Sequence, residues 1–241
     1  MGEGIRAQAG KKLGVIGGMG PQATQLFFQG VIDKTQADCD QEHIPMVILN
    51  HTTMPDRTAC ILSGEEDKVF QPLLEDAKLL QQCGCTAIAI PCNTTHYFAD
   101  RLQAEISIPL INMVRETVKY IAFENPGVRK VGILATDGTV RMGVYQKECE
   151  RFGLEAYSPS EENQKRVMHI IYNEIKKGEI GSYKTFLHID RELKEAGCQA
   201  AILACTELSC FKEQHRLSNF YIDALDVLIE RSVEACGVTQ E

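Results

Sequence analysis

The sequence predicts an α/β protein made of two pseudosymmetric, doubly wound domains with parallel sheets, and a site in the cleft between them. Short apolar runs alternate with amphipathic segments, which is typical of a parallel sheet covered by helices on both faces. The chain also repeats itself. Residues 84–92 align without gaps with residues 197–205, and both segments end in a cysteine. Residues 130–139 likewise repeat residues 12–20 at a nearly equal offset, which indicates a duplicated unit.

The elements of the first half follow from apolar runs, apolar periodicity, and glycine and proline breaks. Strands are predicted at 12–17, 45–50, 87–90 and 108–112, and helices from Pro21, from Thr58, and at 69–83, 97–105 and 114–123. Pro21 suits the first turn of a helix, and Asp56 is placed to cap the helix that begins at Thr58. Gly84 ends the next helix, and the Asn-Pro-Gly break at 125–127 separates the halves.

The second half follows the same pattern. Strands are predicted at 130–135, 200–204 and 221–223, and helices at 139–152, 162–177, 182–195 and 224–236. We expect the last helix to return the chain to the first half. The predicted N-terminal α/β half therefore contains residues 11–112 and 216–241, and the C-terminal half contains residues 113–215. Residues 1–10 are predicted to be a flexible lead-in.

Composition excludes several classes of function. The 241-residue chain has 44% hydrophobic and 24% charged residues, as ordinary globular proteins do. Since it has no run of about 18 apolar residues, no membrane span is predicted. The first ten residues lack the apolar core of a secretory signal, so we expect a cytoplasmic location. A net charge of −8 without a basic stripe argues against nucleic acid as a partner.

The chain contains ten cysteines, which is a high number. A disulfide framework usually needs an exporting signal, and the spacing of Cys83 and Cys85 does not fit a zinc site, so no metal is predicted. Most of the cysteines are therefore expected to be buried, reduced thiols. This expectation applies to Cys39, Cys60, Cys85, Cys149, Cys198 and Cys236.

The glycine turn after the first strand, from Gly18 to Ala23, fits the G-x-G-x-x-A fingerprint of dinucleotide-binding folds. Such folds also require an acidic residue at the end of the second strand, about 20 positions further on. Asp38 and Asp40 lie in a polar loop instead. We therefore expect these glycines to let the backbone approach a ligand or a neighbouring element, without a bound nucleotide.

Two cysteines, Cys92 and Cys205, follow equivalent buried strands at the end where doubly wound sheets build their sites. If pseudosymmetry turns the two halves toward each other, these side chains flank one cleft. A thiolate on one side and a thiol on the other form a base–acid pair that can invert a carbon with an acidic C–H bond. Neighbouring donors lower the pKa of a cysteine from about 8.5 and favour the thiolate. Neutral donors beside the cysteines can stabilise an enediolate without a metal. They are Asn93, Thr94, Thr95 and Thr206.

Five segments, in this order, resemble the cofactor-independent aspartate/glutamate racemase family, and most closely its aspartate racemase branch. They are GGMGPQAT at 17–24, PDRT at 55–58, PCNTTH at 91–96, LATDGT at 134–139 and CTE at 205–207. The resemblance extends from residue 11 to about residue 233. It implies an isomerase that interconverts L- and D-aspartate by a two-base proton transfer, without pyridoxal phosphate or any other cofactor.

The resemblance also implies roles for individual residues. Cys92 and Cys205 are the two catalytic acid–bases, the first for the α-proton of the D-enantiomer and the second for that of the L-enantiomer. The implied substrate-binding residues are Met19, Arg57, Asn93, Thr94, Thr136, Thr139, Lys176 and Thr206. Arg57 and a lysine would favour a dicarboxylic amino acid. Glu207 is implied to orient or tune Cys205.

Several alternatives stay open. Lys165 competes with Lys176, because the two lie about three turns apart on one predicted helix. His96 fits a scaffold role as well as participation in the reaction. Three alternatives to an aspartate racemase are a glutamate racemase, a racemase of broader specificity, and a sensor that binds amino acids without catalysis. The resemblance implies a homodimer, but no stripe in the sequence identifies its interface.

Overall fold

A computed structural model describes residues 5–239 of the chain. The strands are β1 Ile5–Ala7, β2 Leu13–Gly17, β3 Met46–Asn50, β4 Ala87–Ala89, β5 Lys130–Ala135, β6 Glu155–Tyr157, β7 Ala200–Ala204, β8 Tyr221–Asp223 and β9 Gly237–Thr239. The α-helices are α1 Pro21–Lys34, α2 Arg57–Ser63, α3 Asp67–Gln82, α4 Ala99–Gln103, α5 Met113–Glu124, α6 Asp137–Met142, α7 Val144–Arg151, α8 Glu161–His169, α9 Tyr183–Glu195, α10 Thr206–His215 and α11 Ala224–Cys236.

Two parallel sheets carry the two halves, with strand orders β3-β2-β4 and β6-β5-β7-β8. The strands β2 and β5 take equivalent central places in the two sheets. Leu13 of β2 pairs with Ala87 of β4. In the same way, Val131 of β5 pairs with Ala200 of β7. All pairs within both sheets are parallel. These sheets confirm the predicted fold class of two related α/β units.

The strand predicted at 108–112 is reduced to one parallel bridge between Ile88 and Leu110. Pro109 has no amide hydrogen to donate, and Asn112 already caps α5 through its side chain. The bridge lies beside β4, in the place that β8 takes beside β7. The difference therefore preserves the pseudosymmetry of the two sheets.

The two halves exchange their last helices. Helix α5, which follows the first sheet, packs against α7 and β8 of the second half, whereas α11 packs against α1 and β4 of the first half. The largest apolar cluster accordingly contains residues of both halves, such as Phe27, Ile133 and Leu228. A shared core holds the carboxyl ends of the two sheets in a fixed relation.

The predicted domain boundaries stay a prediction, and the sheet topology differs from them at one point. Residues 221–223 were assigned to the N-terminal half, but they form β8, which pairs with β7 in the second sheet. They satisfy the backbone groups on the free side of β7. The chain therefore returns to the first half only with α11.

The predicted flexible lead-in differs from the structure over three residues. Ile5–Ala7 forms β1, which pairs antiparallel with β9. Arg6 also donates to Asp38 over 2.8 Å and to Glu42 over 3.2 Å, which holds the strand against the loop after α1. Residues 1–4 of the lead-in lie outside the described residues.

Two predicted helices are interrupted. The segment 139–152 divides into α6 and α7 at Gly143, whose φ of +64° favours glycine. The segment 162–177 ends as an α-helix at His169, continues as a π-helical turn at Ile170–Glu174 and closes as a 3₁₀ turn at Ile175–Lys177.

The expected burial of Cys39 is wrong, because this side chain is exposed in a loop.

Within residues 5–239, no helix is long and apolar enough to cross a bilayer. The same residues contain no group of three His, Cys, Asp or Glu side chains arranged to hold a metal ion.

Candidate active site

The two strand-end cysteines line one cavity. Cys92 follows β4, and Cys205 follows β7 as the N-cap residue of α10. Both side chains are buried, and the cavity between the halves has a volume of about 20 Å³. Its lining consists of Met19, Asp56, Arg57, Thr58, Cys92, Asn93, Thr94, Thr136, Tyr172, Lys176, Cys205, Thr206 and Glu207. Every predicted site residue except Thr139 belongs to this lining, and Thr139 lies behind it.

Cys205 holds its proton toward a carboxylate. Its Sγ donates to Oε2 of Glu207 over 2.8 Å. Burial raises the pKa of Cys205 well above its usual range, and the negative charge and hydrogen bond of Glu207 raise this pKa further. The positive charge of Lys176 lowers the pKa of Cys205 in opposition to these effects. The Nζ atom of Lys176 lies 3.7 Å from Oε1 of Glu207. The protonated thiol is therefore the favoured form of Cys205.

Cys92 sits on a backbone turn that His96 supports. The amide of Cys92 donates to the carbonyl of Ile90 over 2.7 Å. The carbonyl of Cys92 lies 2.9 Å from Nδ1 of His96. Burial lowers the pKa of His96, so the ring is neutral and can donate one N–H to that carbonyl. His96 thus has a scaffold position beneath the turn, outside the cavity lining.

Arg57 brings a cation to Cys92. It is the first residue of α2, which Asp56 caps, and it donates to the carbonyls of Pro55 over 2.9 Å and Met19 over 3.3 Å. Burial opposes the charged form, but the charges of Cys92 and then Asp56 outweigh it, and the pKa of Arg57 is raised. Met19 therefore contributes to the site partly through its carbonyl, which holds the guanidinium.

Asn93 presents a free donor. Its Oδ1 accepts a hydrogen bond of 2.5 Å from the hydroxyl of Tyr145, on α7 of the other half. Its Nδ2 is buried and has no partner among residues 5–239. An unpaired buried donor is costly, so this amide suits a ligand acceptor. Nothing in the sequence marked Tyr145, which stands in a helix with no distinctive pattern around it.

Four threonine hydroxyls form a cluster across the halves. Thr94 Oγ1 lies 3.2 Å from Thr136 Oγ1 and 3.0 Å from Thr139 Oγ1, and the last two are 3.2 Å apart. Thr58 donates to Thr136 over 3.3 Å. Thr58 is not among the predicted site residues, although its place directly after Arg57 is a signal in the sequence. The cluster ties the polar turns of the two halves together.

The structure separates the two competing lysines. Lys176 lines the cavity, with its Nζ 4.2 Å from the centre of the Tyr172 ring. Lys165 is exposed, pairs with Glu161 over 2.6 Å and lines a different cleft. The π-helical turn between them breaks the 3.6-residue period on which the equal-face argument rested. Tyr172, on that turn, was missed for the same reason.

A wider cleft of about 590 Å³ adjoins the cavity and shares residues with it. The shared residues are Asp56, Arg57, Lys176, Thr206 and Glu207. The N-terminal residues of α1, including Pro21 and Gln22, line its other side. Arg57 and Lys176 therefore face both the small cavity beside the cysteines and the wider cleft, whose volume is that of a small-molecule site.

Known proteins share this fold. An aspartate racemase from Picrophilus torridus superimposes with a TM-score of 0.77 and 25% identity, over 95% of this chain and 96% of the other. An aspartate racemase homologue from Pyrococcus horikoshii OT3 does so with a TM-score of 0.73 and 26% identity, over 93% and 98%. A glutamate racemase of Francisella tularensis in complex with D-glutamate shares the fold at 20% identity and a TM-score of 0.62.

A broad-specificity amino-acid racemase of Bacillus subtilis is 30% identical over 149 residues, which are 59% of this chain and 62% of the relative. The matched part thus spans less than two thirds of that relative. The sequence model of the Asp/Glu/hydantoin racemase family matches residues 16–231, which include both cysteines and every predicted site residue. The chain therefore belongs to the Asp/Glu/hydantoin racemase family.

Proposed function

We propose that the chain is a cofactor-independent amino-acid racemase that interconverts L- and D-aspartate, with Cys92 and Cys205 as its two acid–bases. The observation that carries the proposal is the pair of equivalent strand-end cysteines on one buried cavity. Their surroundings differ in charge, since Cys92 faces the guanidinium of Arg57 and Cys205 donates to Glu207. One thiolate and one thiol are what inversion at a carbon requires.

In the direction from D- to L-aspartate, the thiolate of Cys92 removes the α-proton of the D-enantiomer. An S–H bond forms as the C–H bond breaks. The electron pair moves into the α-carboxylate as an enediolate, which the free amide of Asn93 and the hydroxyl of Thr206 stabilise. Cys205 then gives its proton to the opposite face of the carbon. The chain ends with a thiol at Cys92 and a thiolate at Cys205, the state that serves the reverse direction.

The cations of the site support a dicarboxylic substrate. Arg57 and Lys176 stand where the cavity meets the wider cleft, and both remain charged because their pKa values are raised. A distal carboxylate beyond the α-carbon meets both groups there. Glutamate and broader specificity are the alternatives, and the relatives at hand carry aspartate, glutamate and broad-specificity names.

The test is proton exchange in deuterated water, with L- and D-aspartate supplied separately and no added cofactor. We expect the wild type to invert both enantiomers with deuterium at Cα, and Cys92→Ala and Cys205→Ala to lose inversion. Cys198→Ala, which removes an equally buried thiol from the start of the same strand region, serves as the control. A sensor that only binds amino acids would leave the α-proton of both enantiomers in place.

The homodimer stays a prediction from the family resemblance, and the cytoplasmic location stays a prediction from the sequence. Sedimentation velocity on the full chain tests the first of them. A single species of 26.8 kDa across the micromolar range would contradict it.

A further inference from the structure

Tyr145 connects the two halves at the active site without lining the cavity. It lies on α7 of the second half and is fully buried. Its hydroxyl meets Oδ1 of Asn93, the residue that follows Cys92 in the first half. No sequence motif includes Tyr145, and the proposed reaction does not use its hydroxyl directly.

The direction of this hydrogen bond follows from the surroundings of Tyr145. Burial raises the pKa of the phenol well above its usual range, so the hydroxyl keeps its proton. The phenol therefore has a proton to donate, and Oδ1 of Asn93 accepts it over 2.5 Å.

This bond fixes which end of the amide faces the cavity. A carboxamide carries its oxygen and its NH₂ group on opposite arms, so an oxygen held by Tyr145 points the NH₂ group away from α7. Nδ2 of Asn93 has no partner within the described part of the chain, and Asn93 lines the cavity between the cysteines. The reverse orientation would direct an oxygen toward an incoming carboxylate, which has only oxygen acceptors of its own.

We propose that Tyr145 is a positioning residue, whose buried hydroxyl holds the Asn93 amide with its NH₂ group toward the cavity. The inference rests on the proposed function, because the group that meets this donor is the α-carboxylate of an amino acid as it becomes an enediolate. Tyr145 acts through Asn93 and does not touch the substrate. Its contact also makes the donor beside Cys92 depend on the second half of the chain.

The test is a double-mutant cycle on the full-length chain with Tyr145→Phe, Asn93→Ala and the double variant. Removal of an oriented donor costs about 10²–10³-fold in kcat, which is the loss expected for Asn93→Ala. Tyr145→Phe keeps the donor but frees its orientation, and we expect kcat to fall about tenfold with a smaller change in KM. In the Asn93→Ala background, the same substitution should change kcat by less than about twofold.

The control is Tyr221→Phe, which removes a hydroxyl that donates to Asp190 from another buried ring. We expect it to leave kcat unchanged. Thermal unfolding of every variant checks that the fold is retained. If Tyr145→Phe lowers kcat equally with and without Asn93, the tyrosine is merely structural and the inference is wrong, while the racemase function stands. An unchanged kcat in Tyr145→Phe also overturns it.

A second readout does not depend on the reaction. In ¹⁵N-labelled protein, the side-chain amide signals of Asn93 are those that Asn93→Ala removes. We expect Tyr145→Phe to shift them and Tyr221→Phe to leave them in place. If the wild type inverts neither aspartate nor glutamate, the proposed function fails, and shifted Asn93 signals still support the positioning role. Unshifted signals overturn that role whatever the activity.

Discussion

Replacement of Glu207 by glutamine tests the electrostatic asymmetry of the cysteine pair. The substitution keeps the shape of the side chain and removes its charge. In the native chain, a thiolate at Cys205 would stand 2.8 Å from the carboxylate. At an effective dielectric constant of about 20, two unit charges at 2.8 Å repel by about 6 kcal/mol. The pKa of Cys205 should therefore fall in Glu207→Gln, although burial still holds it above the usual range of a thiol.

The consequence appears in the pH dependence of kcat/KM. The reaction needs one thiolate and one thiol, so activity is lost at high pH when the second thiol of the pair also deprotonates. Because Cys205 is the thiol with the raised pKa, the basic limb of the wild-type profile reports its proton. We expect this limb to move to lower pH in Glu207→Gln.

The assay follows the loss of optical rotation from L- or D-aspartate across a pH series. The two enantiomers have equal free energy, so kcat/KM must be equal in both directions at each pH, which gives an internal check. Glu213→Gln is the matched control, since it removes an exposed carboxylate from the same helix, α10. A basic limb that stays in place in Glu207→Gln, or moves to higher pH, refutes the assignment of the raised pKa to this contact.

Two further predictions concern specificity and stability. Loss of one charge-assisted hydrogen bond costs about 1.5–3 kcal/mol, so Lys176→Met should raise KM for aspartate about ten- to a hundredfold, whereas the exposed Lys165→Met should not. Equal KM changes in initial-rate measurements would contradict the placement of the distal carboxylate. Burial raises the pKa of Asp223 to about 7. Between about pH 4 and 7, Asp223 is thus protonated in the folded chain and ionised in the unfolded chain. The free energy of unfolding should therefore fall as pH rises through this window. Urea unfolding should show that Asp223→Asn removes this slope, and a slope that persists in the variant would show that it has another source.

The sequence predicted those parts of the site that depend on local pattern. Cys92 and Cys205 were recognisable because an apolar strand followed by polar residues marks a carboxyl end, and the repeat made the two ends equivalent. Asp56 was recognisable as a helix cap, and its side chain does accept the amide of Ala59. Such features need no knowledge of the tertiary structure.

The remaining features arise from contacts between distant segments. Tyr145 reaches Asn93 from 52 positions away, and nothing in the residues around it indicates that contact. The π-helical turn at Ile170–Glu174 changes the direction of Lys176 and Tyr172 without any glycine or proline to signal it. A periodic argument assumes an unbroken α-helix, so it could not separate Lys165 from Lys176.

The two cysteines are equivalent in position within the repeat, but the residues beside them differ in charge. The residue two positions after Cys92 is Thr94, whereas the residue two positions after Cys205 is Glu207. The threonine hydroxyl is neutral and belongs to the cluster between the halves, but the carboxylate holds the proton of Cys205. Arg57 stands beside Cys92 instead, so a cation faces one cysteine and an anion faces the other. A thiolate formed at Cys205 by an inversion lies beside the carboxylate of Glu207, and the charge of Lys176 opposes the repulsion, so the two protonation states that a racemase must use differ in free energy.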